Sequence, residues 1–520
     1  MSAKAGGPRM VLAQRAVPAV VIGAGPLSID EVHAVAHGAA RIMLAPALLE
    51  RLSGARAAVE RSLERGEAVY GLTTGLGAAV DTRLAADQIA AFQLRAVRAR
   101  AVGVGRCLSR AEVRAMLLAR LAGLAQGASG ISPCLVGTLA AMLNSGVHPV
   151  VRRIGSLGEA DLSSLAQLFL PLTGEGEAEF DGQIRTGPEA MRLAGIALPA
   201  FGPKDGLALL NANAESAGLA ALALRAMARA LEALTVAGAL SLEAYRANLS
   251  PIASNLVALR PVPSHVAGAA KLRELLAGSD LLGEGAARRV QDPLSFRCLA
   301  PVNGAAFAAL ETARALVEVE LNGAGDSPAV LITEDILRST VNFDTTALAL
   351  ALEGLGLAAA HTATISAFRV TKLMSPAASE LPRFLTRHGG THAGFATTQK
   401  TAAALEAEIR HLAVPLGPMT MPVADGVEDY APMTPRIVAK TAMIAEHLSR
   451  LAAIELVVAA EATDQREGIR LGAGTTLAHR FVRAHVARLD DDRPMGREFE
   501  ALAERLAAGE LAAALADLPA

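Results

Sequence analysis

Three short runs of this chain carry side chains that could do chemistry. The first is AVYGLTTGLG, Ala68 to Gly77, where Tyr70 stands among Gly71, Gly75 and Gly77. Glycines at that density let backbone approach a bound molecule closely, and a phenol becomes a base once nearby cations or helix N-termini help it ionise. Composition alone favours a packing role for Tyr70. The second run is VQDPLSFRC, Val290 to Cys298. Its Arg297 offers a planar fork that grips a carboxylate through two bonds, with a structural ion pair as the plainer alternative. The third is KDGLALLNAN, Lys204 to Asn213. An asparagine inside a helix, as Asn211 reads here, weakens that helix unless it has a task. No H-E-x-x-H, EF-hand loop, P-loop or G-x-S-x-G occurs, and the 11 histidines are dispersed without ligand spacing, so no metal is expected.

The elements that must position these residues read as helical. Of the 520 residues, 52% are hydrophobic, only 3% are aromatic and none is Trp. Ala and Leu dominate, a composition suited to close-packed helices. The formal net charge is -2 with both signs scattered, which points to neither a nucleic-acid nor a membrane-surface partner. Cys107, Cys134 and Cys298 are isolated, giving no disulfide framework and no zinc knuckle, and a reducing cytoplasm fits. Arg9, Gln14 and Arg15 interrupt any apolar leader core, and charges or prolines break each long apolar stretch before it reaches membrane-spanning length.

Near the start, VVIGAGPLS (Val20 to Ser28) imitates a dinucleotide-binding turn, but Ser28 replaces the third glycine and no alternating strand–helix pattern follows. A strand and turn into a helix over Ile29 to His37 is expected, with Ser28 and Glu31 as a capping box. Further helices are expected over about Pro46 to Arg65, Gln93 to Val104, Leu162 to Leu172 and Ala212 to Tyr245. A Pro/Ser-rich loop falls at Asn248 to Pro263, and two or three helices run from Pro435 to Ala520.

Taken together, these motifs resemble the histidine and aromatic amino-acid ammonia-lyases. Ala68 to Gly77 is similar to that family's A-Y-G-I-N-T-G-F-G, Lys204 to Asn213 to its K-E-G-L-A-L-L-N-G, and Val290 to Cys298 to its V-Q-D-P-Y-S-L-R-C. Asp425 to Tyr430 (DGVEDY) stands for N-Q-E-D-H, and Asn342-Phe343 for the N-F of G-G-N-F-H, with Asp344 replacing the histidine. The resemblance implies Tyr70 as catalytic base, Asn211 and Arg297 on the substrate carboxylate, Glu428 in the pocket and Phe343 lining it. Arg100 occupies the place of a substrate-contacting histidine, although Arg95 and Arg98 beside it also suit a solvated basic face. Lys400 follows the family's helix glutamine, where an apolar residue is usual; it reads either as a solvated helix lysine or as a contact for an anionic or thione group.

The departure lies in RIGSLGEADLSSLAQLFLPLTGEG, Arg153 to Gly176. In the family this run carries an Ala-Ser-Gly that cyclises into a methylidene-imidazolone (MIO) electrophile. Here only Glu159 and Ala160 stand between Gly158 and Asp161, two residues where the family has three, and neither is a serine or glycine. No MIO group is expected. A literal Ala-Ser-Gly does occur at Ala128 to Gly130, but its context, GASGISPCLVGTLAAMLNSGVHPVV, resembles a structural family segment. Leu294, where the family has a second active-site tyrosine, departs in the same direction.

The resemblance covers nearly the whole chain. It implies an all-α ammonia-lyase fold with an N-terminal region over residues 1–211 that carries active-site loops, and a central bundle with C-terminal helices over 212–520. It also implies a cytoplasmic homotetramer with active sites shared between subunits. A scaffold that keeps the base and the carboxylate anchor without the electrophile suits an amino-acid betaine, and the MIO-less branch it is similar to is the ergothionases. The alternatives are another MIO-free lyase or isomerase, a non-catalytic homologue, or an ordinary histidine ammonia-lyase using Ala128 to Gly130.

Overall fold

The structure is a computed structural model that describes residues 18–516. The leader reading on Arg9, Gln14 and Arg15, and the last residues of the expected C-terminal helix, lie outside the described residues. Four long helices form the centre: Ala214–Tyr245, Leu299–Asn322, Thr346–Leu373 and Thr434–Asp464. The first packs along the last and meets the other two, which pack on each other, and the last also packs along Thr346–Leu373. Ala-rich faces permit this closeness. Most of Ala214–Tyr245 is buried, including Ala220, Ala221, Ala230, Ala237 and Ala239, and small side chains bring helix axes together so that Leu and Val fill the remaining space.

One polar knot fixes how these helices register. Arg369 meets Glu455 through two bonds, Nε to Oε1 at 2.6 Å and Nη2 to Oε2 at 2.9 Å, and both side chains have no exposure. Ser241 and Ser366 donate to the same carboxylate at 2.8 and 2.6 Å, and Arg369 Nη1 donates to the Ser295 carbonyl at 3.0 Å. Three helices and the Arg297 segment are therefore tied through a single carboxylate, the arrangement in which a buried charge pair is satisfied. Thr346–Leu373 is long and apolar enough to cross a membrane by length and composition, which the sequence reading did not anticipate. Here it lies in the bundle with Arg369 at its buried centre.

The helical fold matches the expectation from sequence, with local differences that have physical causes. Ser28 and Glu31 form the expected capping box on Ile29–Ala36. The strands Ala19–Ile22 and Arg41–Leu44 pair in parallel around this helix, so one strand–helix–strand unit does form. The helix Ile89–Arg100 stops four residues short of Val104, where Gly103 lies against Gln167 and the chain turns into the strand Val104–Cys107. The helix from Leu162 tightens into a 3-10 turn at Leu170–Thr173, because Pro171 has no N–H to continue it. Four helices rather than three follow Met433, ending with Glu510–Leu515.

Candidate active site

The Tyr70 loop is built by glycine and anchored from below. Gly71 takes φ of +65°, and a Cβ there would meet Leu207 and Leu76 at 2.6 Å, so only glycine fits this turn. Under it sits Gln93, fully buried on Ile89–Arg100. Its Nε2 donates to the Gly71 carbonyl at 2.9 Å and its Oε1 accepts from Leu207 N–H at 3.0 Å. One amide thus joins the tyrosine loop to the short helix Asp205–Leu210, which carries Asn211 at its C-terminal cap. Asn211 is a cap residue and not the interior position read from sequence. The Tyr70 hydroxyl oxygen accepts a hydrogen bond from Gly77 N–H at 2.8 Å.

The shortened loop lies where three long helices begin. Asp161, fully buried, accepts from Ser216 N–H at 2.8 Å in the first turn of Ala214–Tyr245. Thr345 Oγ1 donates to the Gly158 carbonyl at 3.0 Å and pairs with Thr434 Oγ1 at 2.8 Å, at the starts of the other two helices. Gly158 has φ of +99°, with Thr434 N only 3.0 Å from where a Cβ would be. Ala160 adopts a left-handed φ of 58°, which costs a residue with a Cβ about 1–2 kcal/mol. Between them Glu159 pairs backbone to backbone with Asp344.

These loops enclose a cavity of about 430 Å³. Five of the seven residues expected in the site line it: Tyr70, Arg100, Asn211, Phe343 and Glu428. They arrive from separate elements. Glu428 is turned inward by a tight loop in which Val423 and Glu428 bond to each other's backbone and Ala424, Asp425 and Gly426 all have positive φ. Phe343 is held from behind, since Asn213 Nδ2 donates to its carbonyl at 2.6 Å. Asn211 Nδ2 donates to the Ser327 carbonyl. Arg100 is partly buried, and that burial lowers its affinity for its proton, while the charges of Tyr70 and Glu428 hold the proton on.

Arg297 and Lys400 do not line this cavity. Arg297 ends the short helix Leu294–Arg297, and its Nε donates to the Asp292 carbonyl at 2.7 Å. Turned to its bonded orientation, the Gln291 amide oxygen accepts from the same guanidinium at 2.8 and 3.1 Å. Lys400 is exposed on Thr398–Leu412. Arg297 is committed to its own segment and Lys400 faces outward, and one chain alone does not bring them to Tyr70.

Sequence reading missed Gln93, Glu159 and Tyr430 as site residues. Glu159 and Tyr430 both line the cavity. Tyr430 had a signal, being one of 3 tyrosines; an isolated helix glutamine has none. Ser129 of the Ala-Ser-Gly run is fully buried, and its carbonyl accepts from the buried Lys204 Nζ at 2.5 Å. That segment is load for the interior and does not line the cavity.

One cavity thus gathers a tyrosine loop, an asparagine cap and a glutamate loop, the set expected of a carbon–nitrogen lyase from the motifs. Residues 27–484 match the aromatic amino acid lyase family, and the chain belongs to it. Among sequence relatives, histidine ammonia-lyase from Anaeromyxobacter sp. (strain K) is 39% identical over 497 residues, covering 93% of this chain and 98% of the relative. The histidine ammonia-lyase of Alkaliphilus metalliredigens is 36% identical over 93% of this chain and 96% of its own. Among solved structures, ergothionase from Treponema denticola in complex with desmethyl-ergothioneine sulfonic acid superposes with a TM-score of 0.89. It has 31% identity and covers 95% of this chain and 99% of that one. Histidine ammonia-lyase from Trypanosoma cruzi gives 0.88 at 27% identity, covering 96% and 95%.

Proposed function

We propose that this lyase works without an MIO electrophile and eliminates trimethylamine from ergothioneine, the trimethylbetaine of 2-thiohistidine, leaving thiourocanate. The observation that carries the reading is the loop Gly158–Glu159–Ala160–Asp161. The residues present do not fit the prosthetic group, because there is no serine to dehydrate and no glycine amide to close the ring. Asp161 is already spent on Ser216 N–H. Overall superposition does not separate ergothionase from ammonia-lyase, and the identity of these four residues supports chemistry without the electrophile.

Chemistry supports the same substrate class. A primary amine leaves poorly, and the family's electrophile improves its departure by bonding to its lone pair. A quaternary ammonium has no lone pair to offer and departs as a neutral amine without protonation. In the proposed step the Tyr70 phenolate takes the β-proton, the C–H electrons form the carbon–carbon double bond, and the C–N pair leaves on trimethylamine. The Gly77 N–H bond and Arg100 support the phenolate. We further propose a homotetramer in which Arg297 and Lys400 of neighbouring copies complete the cavity, Arg297 on the carboxylate and Lys400 with Glu428 on the thioimidazole.

Purified protein given ergothioneine should release trimethylamine and thiourocanate, and given histidine should release no ammonia. Ammonia from histidine would favour the second reading, ordinary histidine ammonia-lyase, which rests on the names of the sequence relatives.

A further inference from the structure

Beside the shortened loop, three side chains from three segments face one space in the cavity. Glu159 comes from the shortened loop, Phe343 from the segment before Thr346–Leu373 and Tyr430 from the loop after Glu428, while Asp344 stands behind Glu159, paired to it through the backbone. They are mechanically linked. The Tyr430 hydroxyl bonds to Thr346 Oγ1 at 2.7 Å, and Thr346 Oγ1 donates to Asp344 Oδ2 at 2.8 Å while Thr346 N–H donates to Asp344 Oδ1 at 3.1 Å. The Asp344 carboxylate is thereby held as an acceptor at a helix start, the place where an anion is stabilised. Glu159, paired to Asp344 through the backbone, has one carboxylate oxygen, Oε1, shut off from solvent with no partner. A buried acceptor without a donor is rare unless a ligand supplies what is missing.

A protonated amine could fill that acceptor by donating hydrogen bonds, but the other walls are aromatic. Phe343 and Tyr430 line the same space, and aromatic rings attract cations without regard to hydrogen-bond direction. Rings plus carboxylates form a cage for a cation that is greasy outside and charged at its centre. We infer that Glu159, with Asp344 behind it and Phe343 and Tyr430 beside it, forms a quaternary-ammonium subsite that selects the permanently methylated amine over a primary one. This rests on the betaine reading above and adds to it the residues that read the methyl groups. Glu159 is then a specificity residue standing where the family's electrophile would stand, so a single shortening of the loop both removes the old amine chemistry and installs recognition of the new amine.

The groups facing Glu159 fix how this subsite titrates. Burial, then the carboxylates of Asp344 and Glu428, push its carboxyl up to about 8. Arg100, Tyr70, Asp429 and Tyr430 line the same cavity and complete its charged surroundings. A bound cation favours the ionised carboxylate, so cation binding expels a proton below that pH and tightens as pH rises through it.

The test uses choline and its neutral carbon isostere as probes of the full-length protein, with binding followed by calorimetry at pH 6 and pH 9. Choline should bind about tenfold more tightly at the higher pH, as expected for one linked ionisation, and the isostere should show no pH dependence. Glu159→Gln should weaken choline at pH 9 by about tenfold and abolish the pH dependence, a change near the cost of one well-placed charge contact. Tyr430→Leu should weaken choline about fivefold, as loss of one ring face predicts. Unchanged isostere binding shows that each variant pocket is intact. Equal choline affinity in wild type and Glu159→Gln overturns the inference, as does a wild type that does not prefer choline to the isostere. Because binding is read without turnover, a protein that prefers choline but leaves ergothioneine intact sinks the substrate and keeps the subsite. One that consumes ergothioneine with no change of KM in Glu159→Gln does the reverse.

Discussion

Replacing Gln93 by leucine isolates how this protein positions Tyr70, the base of the proposed reaction. Leucine keeps the volume and the helix propensity, so the change removes an amide and little else. Two backbone groups lose their partner, the Gly71 carbonyl and the Leu207 N–H. Both residues are buried, so water does not replace the lost bonds without opening the structure. Each unsatisfied buried group costs about 1–3 kcal/mol, giving a loss of about 2–6 kcal/mol in unfolding free energy. The same amide fixes the distance between the Tyr70 loop and the Asn211 cap. A shift of about 1 Å in a reacting group costs about a hundredfold in rate, so kcat should fall by that order with KM changed much less. Urea unfolding and steady-state kinetics of Gln93→Leu, beside Gln93→Glu as a variant that keeps the Leu207 acceptor, measure both quantities. A leucine variant that unfolds at the wild-type urea concentration and turns over within twofold of wild type would refute the reasoning.

Tyr70→Phe should lower kcat by about 10²–10⁴, the range for loss of a positioned general base, with an unchanged circular dichroism spectrum. Arg369→Met strands the Glu455 carboxylate in the bundle and should cost about 3–5 kcal/mol in urea unfolding; the double variant with Glu455→Met should recover part of that loss, since Ser241 and Ser366 stay unpaired. Co-expressing Tyr70→Phe with Arg297→Met should restore measurable turnover that neither variant has alone, because a shared site recombines one intact Tyr70 with one intact Arg297. Absence of rescue in a mixed oligomer verified by native mass spectrometry would put both residues in one chain's site.

Much of the fold was legible because it is written locally. Ser28 and Glu31 cap a helix by a rule of three residues, and the Ala/Leu run to Tyr245 is helical in any context. The strand at Ala19–Ile22 was read with the capped helix, but its parallel partner Arg41–Leu44 was not, because a strand of four residues carries too little pattern to stand out. The site was legible only through resemblance. Tyr70, Asn211, Phe343 and Glu428 are far apart in sequence, and nothing local says that they converge. Glu159 was visible as a gap in a motif, yet its place in the cavity depends on Gly158 and Ala160 taking positive φ. Gln93 acts through two backbone groups, and backbone partners leave no trace in side-chain pattern. Arg297 and Lys400 mark the limit of a single chain, in which neither lines the cavity.

The most direct test of an ammonia-lyase scaffold working without its electrophile is the mass of the purified, active protein, taken intact and across the peptides spanning residues 127–130 and 153–176. The expected result is the unmodified sequence mass for both peptides in protein that consumes ergothioneine. A deficit of two waters in either peptide would mean that an MIO group forms after all, and would contradict the account.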